Sequence, residues 1–262
     1  MRSDFETIKL EFELPFAQIT LNRPDVRNAM SHQMVEDLIS AFGALCERDD
    51  VRAVILRGAS GTFCAGGDFG ELRAAVDMSA AEQITRTARL DTMLRMINQA
   101  PMITIAVIEG AALGGGFGLV CVTDVAIASN EAKLGLPEVR LGLVPAVIAP
   151  YVIRRVGLMR ARQLMLTGSR FDGVAAKEYG VVHESLPPDG LDIRLGGLKE
   201  EIRHCAPDAI RECKKLIFEV VDKTLDETRE SRAELLNRLR MGDEAKEGML
   251  AFMQRRPARW AE

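Results

Sequence analysis

With 262 residues, 47% of them hydrophobic, the chain is long enough to bury one large core, or one core with an appendage. Its formal charge of −4 gives no global attraction to nucleic acid or to anionic membrane surfaces. No apolar run approaches the ~18–20 residues of a membrane span, so no membrane partner is expected.

The opening Met1-Arg2-Ser3-Asp4-Phe5-Glu6 carries acids and no apolar core, which argues against an export leader and for the cytoplasm. Ile8-Lys9-Leu10-Glu11-Phe12-Glu13 and Ala17-Gln18-Ile19-Thr20-Leu21 read as paired strands. Ser31 offers a helix cap, and Met34, Leu38, Ala41 and Leu45 fall on one helical face. Ala53-Val54-Ile55-Leu56-Arg57-Gly58 reads as a buried strand feeding Ser60-Gly61-Thr62-Phe63-Cys64-Ala65-Gly66-Gly67-Asp68. Ser79-Ala80-Ala81-Glu82 is a capping-box pattern that opens a helix through about Asn98.

A second buried strand, Ile103-Thr104-Ile105-Ala106-Val107-Ile108, runs into Glu109-Gly110-Ala111-Ala112-Leu113-Gly114-Gly115-Gly116-Phe117-Gly118 and then Leu119-Val120-Cys121-Val122. That order is a strand–turn–helix junction. Asp124-Val125-Ala126-Ile127-Ala128 is a further strand, and the recurrent units suggest parallel pairing by crossover. Past about residue 190 the chain turns helical, with helices expected over 191–203, 208–222, 225–240 and 244–253. Pro187-Pro188 marks a boundary between a region 1–190 and a region 191–262.

The five cysteines form no CxxC pair and leave one over, which fits reduced thiols in a cytosolic protein. His32, His183 and His204 lack metal-ligand spacing and no HExxH occurs, so no metal is expected. A GxSxG elbow and a Walker loop are absent, and Leu119 stands where a dinucleotide fingerprint would need its last glycine. The short cluster Arg255-Arg256-Pro257-Ala258-Arg259 in an acidic chain is a weak case for RNA, and no nucleic-acid partner is expected.

The two glycine-rich turns carry the chemistry. Glycines let a ligand approach the backbone, and amides at a helix N-terminus stabilise negative charge. Two amides converging on one point would form an oxyanion hole for a thioester becoming an enolate. The same glycines would also serve tight turns and close packing, and spacing alone leaves open whether the turns meet.

Phe63-Cys64-Ala65-Gly66-Gly67-Asp68, Gly110-Ala111-Ala112-Leu113-Gly114-Gly115-Gly116 and Leu136-Pro137-Glu138-Val139-Arg140-Leu141-Gly142-Leu143-Val144-Pro145 occur in that order. With Thr20-Leu21-Asn22-Arg23-Pro24 and Asn28-Ala29-Met30, they resemble the enoyl-CoA hydratase/isomerase (crotonase) superfamily over nearly the whole chain. The resemblance implies an α/β fold, the crotonase (ClpP-like) spiral of ββα turns, with C-terminal helices that build a homotrimer or a hexamer of paired trimers. It implies oxyanion donors at Gly67 and Gly115 and a catalytic acid/base at Glu138, with a CoA thioester as substrate and no separate cofactor. Leu134, Leu136, Val139 and Leu141 would give Glu138 apolar surroundings and a raised pKa, although a loop glutamate beside Arg140 is ordinarily solvated.

One departure stands out. The family's first glutamate falls on Gly118, which cannot hold water or move a proton. That leaves one-base chemistry such as double-bond isomerisation, hydration with the water held by Glu138 and a further group, or, in a different class, a silent acyl-CoA-binding or scaffold protein. Residues 143–154, with Ala146 and Val147 in place of a glycine-rich pocket wall, resemble branched glutaconyl-CoA hydratases of the methylglutaconyl and isohexenylglutaconyl types, which act in leucine and acyclic terpene breakdown. That favours hydration of an α,β-unsaturated acyl-CoA by a hydro-lyase. The resemblance further places Arg27 near the nucleotide, and Ala65, Gly66, Asp68, Phe69, Leu113 and Gly114 around the CoA arm. Phe252 and Arg255 match positions that reach adenine and phosphate, sometimes across subunits. Asp68 reads as structuring its turn rather than as a base.

Overall fold

The computed structural model describes residues 5–261; residues 1–4, on which the leader reading largely rests, lie outside them. The chain opens with β1 (Ile8–Glu13) and β2 (Phe16–Leu21), an antiparallel pair in register from Ile8 opposite Leu21 to Glu13 opposite Phe16. Ser31 caps α1 (His32–Cys46) by accepting from Met34 N–H. There follow β3 (Ala53–Gly58), α2 (Phe69–Ala74) and α3 (Ala80–Gln99), the last opened by the Ser79–Glu82 capping box that its sequence predicts. The middle holds β4 (Ile103–Ile108), β5 (Ala111–Leu113), α4 (Gly115–Cys121), β6 (Val125–Ser129) and β7 (Lys133–Gly135). Then come α5 (Ala149–Thr167), β8 (Arg170–Asp172), α6 (Gly173–Glu178) and β9 (Glu184–Leu186). Four helices close the chain: α7 (Gly190–Arg203), α8 (Pro207–Val220), α9 (Arg229–Met241) and α10 (Asp243–Gln254).

The strands form a six-stranded sheet in the order β1-β2-β3-β4-β6-β9 and a three-stranded sheet β5-β7-β8. Beyond β1 the large sheet is parallel, and its inner strands β3, β4 and β6 are largely apolar on both faces because both are covered. Val54, Leu56, Ala106 and Ile108 face the main core with Met34, Leu38, Phe42 and Leu45 of α1. The alternate residues Ala53, Ile55, Ile105 and Val107 pack against Leu191, Leu195, Leu198 and Ile202 of α7. The first helix after residue 190 is thus a layer of this sheet's core.

β3 and β4 run in register from Ala53 beside Ile103 to Leu56 beside Ala106, so the turns after them leave one edge together. At the opposite edge, Lys214 of α8 is buried and donates to Asp124 Oδ2 at 2.6 Å and to Met102 O at 3.0 Å. Asp124 Oδ2 also accepts from Thr104 N–H and its hydroxyl, at 2.7 and 2.9 Å. Burial pushes the Lys214 ammonium pKa down against the pull of Asp124.

The helix expected from 225 begins at Arg229, because Thr224 donates twice to the Glu227 carboxylate and holds a turn there. The second sheet, β9, α2, α5 and α6 go beyond the sequence expectations. The strands among them are three residues long, too short for a period of two to show.

Candidate active site

Three short segments lie side by side at the shared edge. The turn after β3 is zipped to the turn after β4: Phe63 N–H donates to Glu109 O at 2.8 Å, Cys64 N–H to Ala111 O at 2.7 Å, and Leu113 N–H to Cys64 O at 3.0 Å. On its other side runs the segment before α1. Ala65 N–H donates to Arg27 O at 3.1 Å, Met30 N–H to Gly66 O at 2.7 Å, and Asp68 N–H to Met30 O at 3.0 Å. The two turns, whose spacing leaves their meeting open, are therefore in direct contact.

The pairing fixes where amides point. Met30 bonds to residues 66 and 68 in a parallel bridge, so the N–H of Gly67 between them points away from that segment. Gly115 is the first residue of α4, and its N–H is one of the amides a helix start leaves unsatisfied. Among the described residues neither N–H has a hydrogen-bond partner.

Gly114, at φ 49° and ψ −116°, occupies a conformation open to glycine and to few other residues. A Cβ there would stand 2.9 Å from Glu138 Oε1 and 4.0 Å from Gly66 Cα. The absence of a side chain at one position thus brings both turns and the acid together. Gly66, at φ +105°, has Leu113 O 3.2 Å from where its own Cβ would be.

Glu138 lies on a 3-10 turn, Pro137–Leu141, which Gly142 ends in a left-handed conformation. Leu134 and Leu136 before it are fully buried, Val139 is half-buried and Arg140 is exposed. Leu141, read as part of the apolar surroundings, is instead 53% exposed. Among the described residues, Glu138 Oε2 is the one buried side-chain oxygen or nitrogen without a hydrogen-bond partner. Burial pushes the carboxyl pKa up, against a weaker opposing hydrogen bond from its own backbone. A half-buried acid with an unsatisfied oxygen is equipped to exchange protons with a bound molecule.

The space over Gly118 is filled. A Cβ there would lie 2.3 Å from Ile148 Cγ2, and Ile148, at the start of α5, is 3% exposed. Asp68 holds its turn together. Its Oδ1 accepts from Gly70 and Glu71 N–H at 2.9 and 3.2 Å, capping α2, and Oδ2 pairs with Arg23 at 2.8 Å. Partial burial pushes its pKa up, but Arg23 and the cap amides outweigh this and hold it below the ordinary value. Phe69 is exposed beside it, and Ala65, Leu113 and the exposed Arg27 flank the same turns.

Phe252 and Arg255 stand elsewhere. Phe252 is 85% exposed on α10, and Arg255 ends that helix in a left-handed conformation. Trp260, whose ring meets Gly248 of α10, accepts through its carbonyl from Arg52 at 2.5 Å, at the residue before β3. A strand of six residues, roughly 20 Å, separates that end of the sheet from the glycine turns. Met30 and Ile148 lie in segments that carry the resemblance, but nothing in the sequence gives either a place in this site; both are apolar residues whose contacts appear only on folding. Among the described residues no group of His, Cys, Asp or Glu could hold a metal ion.

Comparison with known proteins places this geometry in context. The enoyl-CoA hydratase/isomerase family profile matches residues 11–262. The structure of Pseudomonas aeruginosa AtuE superimposes with a TM-score of 0.96 at 43% identity, over 98% of this chain and 100% of that one. An enoyl-CoA hydratase/isomerase from Marinobacter aquaeolei does so with a TM-score of 0.94 at 42% identity, over 98% and 99%. A Thermus thermophilus relative that carries the enoyl-CoA hydratase name is 32% identical over 244 residues, 93% of this chain and 96% of its own length.

Proposed function

Because this chain belongs to the enoyl-CoA hydratase/isomerase family, with its crotonase fold and its action on acyl-CoA thioesters, we propose that it hydrates an α,β-unsaturated acyl-CoA with Glu138 as its single acid/base. The observation that carries this reading is the half-buried Glu138 carboxylate, with Oε2 unpartnered and Oε1 beside the junction of the glycine turns.

In this reading the thioester oxygen accepts from Gly67 and Gly115 N–H. Ionised Glu138 takes a proton from water as the water oxygen bonds to Cβ. The π electrons move toward the carbonyl as an enolate, which the two amides stabilise by about 3 kcal/mol per donor. Protonated Glu138 then returns its proton to Cα, and the carboxylate is regenerated. Its raised pKa suits both halves of the exchange.

The acyl group we propose is a branched glutaconyl type, on the resemblance of residues 143–154 to that group of hydratases. Arg27, Ala65, Gly66, Asp68, Phe69, Leu113 and Gly114 would flank the CoA arm. Phe252 and Arg255, at the far end of their own sheet, would serve the CoA of a neighbouring copy in a homotrimer or hexamer. Sedimentation at micromolar concentration checks the assembly, and a monomer would contradict it.

A specific observation favours a second reading. Ile148 over Gly118 leaves one acid in the site, which is sufficient for moving a double bond from Cβ–Cγ to Cα–Cβ. The absorbance of the conjugated enoyl thioester separates the possibilities across a panel of linear and branched CoA esters. Hydration removes the band, isomerisation of a 3-enoyl ester creates it, and a silent binding protein changes neither. Loss of the band with a 2-enoyl ester is expected.

A further inference from the structure

We propose that Met30 is a positioning residue that sets the separation of the two oxyanion donors. The inference rests on the reading of Gly67 and Gly115 as those donors. Met30 grips Gly67 through its main chain, donating to Gly66 O at 2.7 Å and accepting from Asp68 N–H at 3.0 Å. Its side chain, 7% exposed, reaches the other donor: Sδ and Cε lie 3.4 and 3.6 Å from where a Cβ of Gly115 would stand. One residue therefore touches both glycines, with backbone on one and thioether on the other.

Met30 is itself held from below. Asn28, fully buried and at φ +55°, accepts through Oδ1 from Arg23 N–H at 2.8 Å. Its Nδ2 donates to Ala59 O at 3.0 Å and to Thr62 O at 2.5 Å, which fixes this segment against the turn after β3. Gly115 has no side chain to brace it, and the Met30 thioether occupies that place. An unbranched thioether fills such an irregular gap well. Oxyanion donors act over ~2.7–3.1 Å, so the gap between them has to be kept to a fraction of an ångström. A misplacement of ~1 Å can cost ~10²-fold in rate.

The test reads the carbonyl directly. A saturated acyl-CoA such as butyryl-CoA, carrying ¹³C at the thioester carbonyl, binds without a double bond to hydrate. Infrared difference spectra then report how strongly the protein polarises that bond. Binding to the wild-type protein should lower the stretching frequency. Met30→Ala should shrink this downshift and cut kcat at least ~10-fold, short of the ~10²–10³-fold expected for a deleted donor. KM for the ester that wild type turns over should stay within about twofold, since the anchoring contacts are untouched. Met30→Leu, which keeps carbon at the level of Sδ, should restore frequency and kcat. If the alanine variant fails to fold, Met30→Val removes the same contact with less lost volume.

An undiminished downshift with kcat near wild type in a folded Ala or Val variant would overturn the proposal. So would a fall in stability and kcat with the frequency unmoved, which marks a merely structural residue. A wild-type protein that causes no downshift removes the donor reading itself, and Met30's role with it.

Discussion

Glu138 carries its charge where the surrounding protein offers Oε2 no partner. Glu247 in α10 shows the contrast: Arg256 hydrogen bonds hold its pKa at about 2, with Arg259 assisting, and it acts as a structural ion. For Glu138 burial pushes the pKa above 4.5, so the folded state binds that proton more tightly than the unfolded state does. Stability is therefore lost as pH rises from 4.5 through the raised value, and the loss persists above it. Glu138→Gln should accordingly raise Tm at pH 7 and give no gain below pH 4.5, which thermal unfolding across a pH series checks. A Tm difference independent of pH would contradict the assigned environment. Glu138 as the acid is a proposal legible in the sequence, through the resemblance its ordered motifs carry. The approach of its Oε1 to the glycine turns is not legible there, because that depends on Gly114, 24 residues earlier in the chain, having no side chain.

Helix α4 is where element and chemistry coincide. The glycines at its start each leave room for a different neighbour: Glu138 at Gly114, Met30 at Gly115, Cys64 at Gly116 and Ile148 at Gly118. Placing an acid at 118 is therefore a packing problem before it is a catalytic one. Gly118→Glu alone should destabilise by about 1–3 kcal/mol through overpacking against Ile148, measured by denaturant unfolding. Gly118→Glu with Ile148→Ala should recover stability and raise crotonyl-CoA hydration. A folded double variant with no gain shows that the missing acid is not limiting. At Gly115 the neighbour is the flexible end of Met30, so Gly115→Ala should be tolerated with a small loss. Gly115→Pro deletes the N–H at the first helical position, which accepts proline. Gly114 before it already holds the mirror image of the extended conformation that a residue preceding proline prefers. The proline variant should fold and lose about 3 kcal/mol of transition-state stabilisation, read from kcat/KM. Wild-type kcat/KM in the folded variant would remove Gly115 from the mechanism. The glycine run, its strand and the helix after it are plain in the sequence. Their neighbours are not: Met30, Cys64, Glu138 and Ile148 come from separate segments of the chain, and only folding brings them to α4.

Across the whole molecule, helix α8 is tied to the base of the sheet by buried Lys214 and its partner Asp124, at the edge opposite the glycine turns. Removing Lys214 would leave Asp124 partly exposed and still bonded by Thr104. Lys214→Met should therefore cost about 1–3 kcal/mol in chemical denaturation and leave kcat per folded molecule unchanged. Unchanged stability would show that the helix is held by other contacts. The parallel strands and the helical C-terminal region are legible from apolar runs and helix caps. The second sheet is not, because its three-residue strands pair across long separations, as when Ala111 meets Lys133.

Whether Glu138 moves the protons of hydration is decided by comparing wild type and Glu138→Gln on the same 2-enoyl-CoA. Turnover is read from loss of the conjugated thioester band, and binding is measured separately. Turnover should fall at least ~10²-fold with CoA-ester affinity little changed. Near-normal turnover in the purified, folded variant would contradict the assignment of Glu138 as the acid/base.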